Sequence, residues 1–246
     1  RSTFESLLAR GFPAVGLDRS FRLHAMHAEF LENHVYREDG VGFHSELDHT
    51  LPPGRGLRGH VAAALAPEYP VVVVEHTEAA SLKQNDVELE IVAPILRAAV
   101  DRLGLDGRDG VGVVVPHRAQ RAALQRRFPE LAEGGAIDTV ERFQGGERDL
   151  IVVSATASDP EFVLAEASFL LNPNRLNVAF SRPRKKLVVV GSTTIFRLMP
   201  PDLQTFEDAL LWKRLRYEFS AEVLWEGVIA GADVRVSGRR AEPRGT

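Results

Sequence analysis

Residues 137–156 read IDTVERFQGGERDLIVVSAT, a β-branched run, a loop with two adjacent glycines, and a longer apolar run. The runs predict two strands, with Gln144, Gly145 and Glu147 in the loop between them. Adjacent glycines let a backbone approach a ligand closely and expose its N–H donors. The same apolar character recurs outward from this stretch, as VVVVE from Val71, GVGVVVP from Gly110 and KLVVVGS from Lys186. Amphipathic helices are expected between them at about 86–103, 118–128 and 173–181. Continuous β-branched runs alternating with such helices are what a parallel sheet covered on both faces requires, so the expected fold is α/β and doubly wound. Pro94 sits inside the first of these helices and should kink or shorten it.

Composition frames this reading. At 246 residues and 44% hydrophobic content, the chain can bury a full core, as one large domain or one domain with an extension. It contains no run of about 18 apolar residues, so no membrane span is expected, and its first residues lack a basic-then-apolar signal pattern. The absence of cysteine excludes disulfides and thiolate metal sites and fits a reducing, intracellular setting. A net charge of −4 argues against a uniformly basic coat for nucleic acid but allows a local groove. Only Lys83, Lys185, Lys186 and Lys213 are lysines; the other basic residues are arginine, whose planar fork suits bidentate phosphate contacts, although a GC-rich gene has the same effect.

The flanks are less regular. Ser2 and Glu5 form a capping box for a short helix ending near Gly11, a brief strand is expected at 14–17, and a helix at 24–33 would bury Met26 and Phe30. Residues 40–70 read as a long irregular connection. After Ser192 the sheet pattern stops. A helix over 202–217 is expected to face Leu203, Phe206, Leu210, Trp212 and Leu215 inward, with weaker strand material at 223–236 and a polar tail from Gly238. The implied division is residues 1–198 for the main domain and 199–246 for a helical extension.

Three segments carry a resemblance. SFRLHA at Ser20, FQGGE at Phe143 and NPNRLNVAFSRPRKKL at Asn172 occur in the order and approximate spacing of motifs in superfamily 1 helicases. They are most similar to the branch of the nonsense-mediated-decay and senataxin-like 5′-to-3′ enzymes. The chain resembles the second, C-terminal RecA-like domain of that family, which implies a P-loop-NTPase-type sheet. No G-x-x-x-x-G-K-[ST] loop occurs in the sequence, so the first RecA-like domain, holding most of the ATP and Mg²⁺ site, is expected to lie outside these residues.

By that resemblance Arg22 and Arg182 are catalytic arginines that reach the γ-phosphate of ATP across the cleft. Gln144, Gly145 and Glu147 lie beside the nucleotide. Thr139, with Pro116, His117 and Gln120 of VPHRAQ, faces single-stranded DNA or RNA; these residues follow strand ends, the usual ligand edge of a parallel sheet. No resident metal site is expected in the chain itself. Arg175 and Arg184 read equally as contacts or surface charges. Phe143 reads as a core anchor, His24 as a helix starter, and Asn85 of SLKQNDVELE as a helix cap. The implied activity is the motor half of an ATP-dependent helicase, inactive alone; the alternative is a non-catalytic module binding nucleic acid or protein.

Overall fold

Four consecutive valines, residues 71–74, are fully buried, which requires cover on both faces of the strand they form. The computed structural model of the chain describes residues 9–12, 18–36, 42–140, 142–143 and 146–242, apart from the side chains of residues 174 and 175. The expected helix at 2–10, in all but its last residues, and the expected strand at 14–17 lie outside the described residues.

Nine strands are assigned among the described residues. They are β1 Arg19–His24, β2 His44–Leu47, β3 Val71–His76, β4 Val111–Val115, β5 Ile137–Thr139, β6 Arg148–Ser154, β7 Pro183–Ser192, β8 Glu222–Ile229 and β9 Ala232–Arg239. β1 and β2 pair in parallel. The other seven form one sheet in the order β5-β4-β6-β7-β3-β9-β8. β5 through β3 are parallel, and β9 runs antiparallel to both β3 and β8. This is the mainly parallel α/β sheet of a RecA-like fold.

Alternate residues of the central strands serve two cores. Val72, Val74, Val113, Val115, Val152 and Val188 pack with residues of helices Gly59–Leu65, Asp86–Asp101 and Arg118–Arg127. Val71, Val73, Val114, Val153 and Val189 pack on the other face with residues of helices Ala25–Leu31, Pro173–Phe180 and Leu203–Lys213. Each buried valine contributes about 1.5–3 kcal/mol of transfer free energy, so a two-sided valine sheet supplies the main driving force.

Several expectations change. Residues 40–70 are not an unbroken irregular connection, because they supply β2 and helix Gly59–Leu65. Helix Asp86–Asp101 runs through Pro94 as one element; its fully buried Ile91, Ile95 and Leu96 secure the helix where proline removes a backbone donor. The expected 24–33 helix is Ala25–Leu31 continued by a π-helical turn, Glu32–Tyr36. The sheet does not stop at Ser192: β8 and β9 complete its edge, and strand structure reaches Arg239, into the expected tail. Leu203 is 72% exposed instead of inward, while Ala209, Leu211, Trp212 and Leu215 are buried.

His27 has the sharpest electrostatic consequence in the fold. Its ring is wholly buried and its Nε2 donates to the Pro70 carbonyl at 3.1 Å, just before β3. Burial pushes its pKa from 6.5 down to about 3. The unfolded chain therefore takes up a proton first as pH falls. The stability due to neutral His27 is complete above about pH 6.5 and is lost as pH drops toward 3, on the order of 4 kcal/mol over the full window. Urea titrations between pH 7.5 and pH 4 should show a steeper loss in the unchanged chain than in His27→Gln; parallel profiles would contradict this assignment.

Candidate functional site

The predicted residues divide between the two edges of the sheet. β4 sets the directions: Val111 at its start is paired with Leu150 of β6, and Val115 at its end with Thr139 of β5. The segment between β5 and β6 therefore leaves the carboxyl edge at Thr139 and returns to the amino edge before Arg148. Phe143 pins it midway. Its ring is 4% exposed and lies over Gly112, where an added Cβ would come within 2.4 Å of Phe143 Cζ and 2.7 Å of Ile151 Cδ1. Phe143 is thus the core anchor that the sequence suggests.

At the amino edge, β1 buries Leu23 and turns Arg22 outward, with its side chain 53% exposed. Arg22 Nη1 donates to Glu147 Oε1 at 2.5 Å. The next residue, Arg148, donates its backbone N–H to the Arg182 carbonyl at 3.2 Å. Arg22, Glu147 and Arg182 are thus gathered at the starts of β6 and β7. Arg182 directly follows the turn that ends helix Pro173–Phe180, and its Nε is buried with no hydrogen-bond partner among the described residues. A buried donor without a partner calls for an explanation, and ligand binding is one. Beside Arg22, Phe21 is 78% exposed. Sequence reading passed over Phe21; the available signal was an aromatic directly before the key arginine.

Other amino-edge groups are internal supports. Arg184 binds the Asp149 carboxylate at 2.8 Å and the Asp109 carbonyl, and Asn177 accepts from the Tyr36 hydroxyl at 3.1 Å. Gln144 and Gly145 lie outside the described residues, as does the side chain of Arg175. His24 does start its helix, its Nδ1 accepting from Met26 N–H at 3.1 Å.

The carboxyl edge is held by a buried polar cluster. Asn85 caps helix Asp86–Asp101, accepting from Glu88 N–H at 2.9 Å, and its amide also donates to Glu78 and to the Thr156 carbonyl. Gln120 is fully buried, with its amide oxygen accepting from Asn85 N–H and its nitrogen donating to Ser154 Oγ, both at 3.0 Å. It therefore braces the edge from within. Glu88, also fully buried, accepts from Thr156 N–H at 2.9 and 3.0 Å and from the Ser154 hydroxyl, with His76 Nε2 3.3 Å away. Thr156 has φ of 69°, a left-handed conformation rare for a β-branched residue. Such strain persists where surrounding bonds over-determine it, as Glu88 and Asn85 do here, and it clusters at functional sites. Sequence reading found the Asn85 cap but missed Glu88, three residues on in the same turn.

Thr139 is 8% exposed at the end of β5, and its hydroxyl has no hydrogen-bond partner among the described residues. Pro116 is half-buried. His117 is 8% exposed and packs against Phe162 and Phe169, with ring centroids at 5.9 and 5.7 Å. Burial, then the nearby Lys83 charge, holds its imidazole pKa below the ordinary value against the pull of Glu166. Among the described residues no group of three or more His, Cys, Asp or Glu could hold a metal ion.

This two-edged sheet falls in a known class. Residues 1–194 match the AAA domain family AAA_12, and the chain belongs to that family. It is 27% identical over 244 residues, 94% of the chain, to Regulator of nonsense transcripts 1 of Dictyostelium discoideum, covering 17% of that protein. It is 33% identical over 116 residues, 47% of the chain, to the DNA replication ATP-dependent helicase/nuclease JHS1 of Arabidopsis thaliana, covering 8% of it. Over 91 residues, 36% of the chain, it is 37% identical to the DNA polymerase alpha-associated DNA helicase A of Saccharomyces cerevisiae, covering 13% of it. The chain thus spans a small part of each of these relatives. The resemblance to superfamily 1 helicase second domains drawn from the motifs agrees with them, and the chain is a helicase-like domain.

The buried cluster yields a direct test. Glu88→Gln turns a donor toward the Thr156 N–H or the Ser154 hydroxyl and should cost about 2–3 kcal/mol in urea unfolding. The partly exposed ion pair of Glu90 with Arg127 should cost no more than about 1 kcal/mol when Glu90 becomes Gln. Equal effects would contradict the bracing role of Glu88.

Proposed function

We propose that the chain is the second RecA-like domain of an ATP-dependent helicase or translocase of superfamily 1. In this reading it supplies arginines to ATP held, with Mg²⁺, mainly by a first RecA-like domain, and it grips single-stranded DNA or RNA. The observation that carries the reading is the separation of the two sets of residues. Arg22, Glu147 and Arg182 meet at the amino edge, whereas Pro116, His117, Gln120 and Thr139 lie at or beneath the carboxyl edge.

On closure of the two domains, Arg22 exchanges Glu147 for the γ-phosphate. The exchange is cheap, because a solvent-exposed ion pair is worth at most about 1 kcal/mol. Arg182 brings its unpartnered Nε to the same charge. Gln144, Gly145 and Glu147 contact the nucleotide, and the exposed ring of Phe21 offers a stacking face for its base. Arginines placed in this way stabilise charge on the transferring phosphoryl group by roughly 10³- to 10⁵-fold in turnover. At the opposite edge Thr139 binds backbone phosphate without reading sequence, while Gln120 and the packed His117 keep the strand-end loops in place. Alternating closure and reopening converts hydrolysis into movement along the strand.

No described helix is long and apolar enough to cross a membrane, and an intracellular location suits a nucleic-acid motor. The absence of a phosphate-loop sequence equally allows a second reading, a non-catalytic module that binds nucleic acid or protein.

In a protein joining this domain to one with a phosphate loop, Arg22→Ala or Arg182→Ala should lower ATP turnover by about 10³-fold or more. Single-strand binding without nucleotide should be kept. Thr139→Ala should weaken strand binding and leave basal turnover intact. Unchanged turnover in both arginine variants would refute the motor reading and leave the binding module.

A further inference from the structure

Several basic side chains around the sheet are neutralised: Arg22 by Glu147, Arg121 by Asp138, Arg127 by Glu90, Arg184 and Lys185 by Asp149, and Arg216 by Glu75. Three exposed cations at the carboxyl edge are different. Lys83 lies in the loop after β3, Arg118 opens the helix after β4, and Arg142 lies in the turn after β5. None of the three side chains has an ion-pair or hydrogen-bond partner among the described residues.

Their loops are drawn together by the buried cluster. Asn85, two residues after Lys83, donates its backbone N–H to the Gln120 amide oxygen, and Gln120 lies two residues after Arg118. Lys83 is close enough to His117 to act on its charge. Arg142 is held by its own backbone N–H, which donates to the Thr139 carbonyl at 3.0 Å, and Thr139 pairs with Val115 three residues before Arg118. Asp138, the nearest carboxylate in sequence to Arg142 among the described residues, is occupied by Arg121 at 2.8 Å.

We infer that Lys83, Arg118 and Arg142 form a phosphate track, in which each cation meets a backbone phosphate of the single strand that crosses the carboxyl edge. The inference rests on the proposed nucleic-acid reading and adds the residues that carry the electrostatic part of affinity. Long-range attraction to phosphates requires charges not already spent on internal carboxylates, and these three have no such partner among the described residues, at the edge where Thr139 lies. Phosphate contacts position a strand without reading its sequence, so the track serves any base order.

The test is fluorescence anisotropy of the 246-residue chain with a labelled oligothymidylate across a salt series. Each phosphate contact contributes about −0.7 to the log–log slope for single strands. Lys83→Ala, Arg118→Ala and Arg142→Ala should each flatten the slope by about 0.7, and the triple variant by about 2. A matched triple of Arg102→Ala, Arg108→Ala and Arg126→Ala removes three exposed arginines toward the amino edge and should leave the slope unchanged. Melting curves verify that every variant is folded.

A wild-type slope in the Lys83, Arg118 and Arg142 triple, or an equal loss in the control triple, would overturn the track while leaving strand binding standing. No binding by the unchanged chain at low salt would overturn both the track and the nucleic-acid reading.

Discussion

The ring of Phe143 lying over Gly112 is the constraint on which the rest of the domain depends. Eight residues, 140–147, must carry the chain from Thr139 at one edge of the sheet to Glu147 at the other. Among the described ones the deeply buried anchor is Phe143, in a gap that exists because Gly112 has no side chain. A shift of that anchor would move the Thr139 turn and the Glu147–Arg22 pair together. The same segment therefore gives the domain a short mechanical connection between the two edges of its sheet, and interiors packed at crystal-like density transmit such strain.

The two edges are built on opposite principles. The carboxyl edge is over-determined: Asn85, Glu88, Gln120, Ser154 and Thr156 are fully buried and bonded to one another, at a high cost in desolvation. What this arrangement gains is rigidity in three loops that sequence alone would leave soft, including a threonine held in a left-handed conformation. The amino edge is under-determined. Arg22 has one exposed partner, and Arg182 Nε has no partner among the described residues. In the proposed motor, the rigid edge is the one that would hold a strand and the easily exchanged contacts are those that would meet the nucleotide.

The sequence made the parallel core legible because buried β-branched runs such as VVVVE and LIVV have few alternatives in a chain of this size. The motif positions were legible through resemblance, and His24, Asn85 and Phe143 through simple capping and packing arguments. The β8–β9 hairpin was misread as an extension because its turn residues, Ala230 and Gly231, lack the usual Asn-Gly or Asp-Gly signal, and a helix precedes it. Sheet membership is a long-range property: β9 joins β3 across about 160 residues of chain. Pro94 misled for a related reason, since tertiary burial of its helix outweighs one lost backbone bond. Gln120 illustrates a further limit. Position at a strand end marked it as part of the ligand edge, but only its contacts show that it works from beneath.

The most direct test of the two-edge account is an NMR chemical-shift titration of the chain with a single-stranded oligonucleotide. Amide shifts are expected at Thr139, Arg142, His117, Arg118 and the 154–158 turn, with Arg22, Glu147 and Arg182 unmoved. Shifts centred on the Arg22–Glu147 edge, with Thr139 and its neighbours silent, would contradict it.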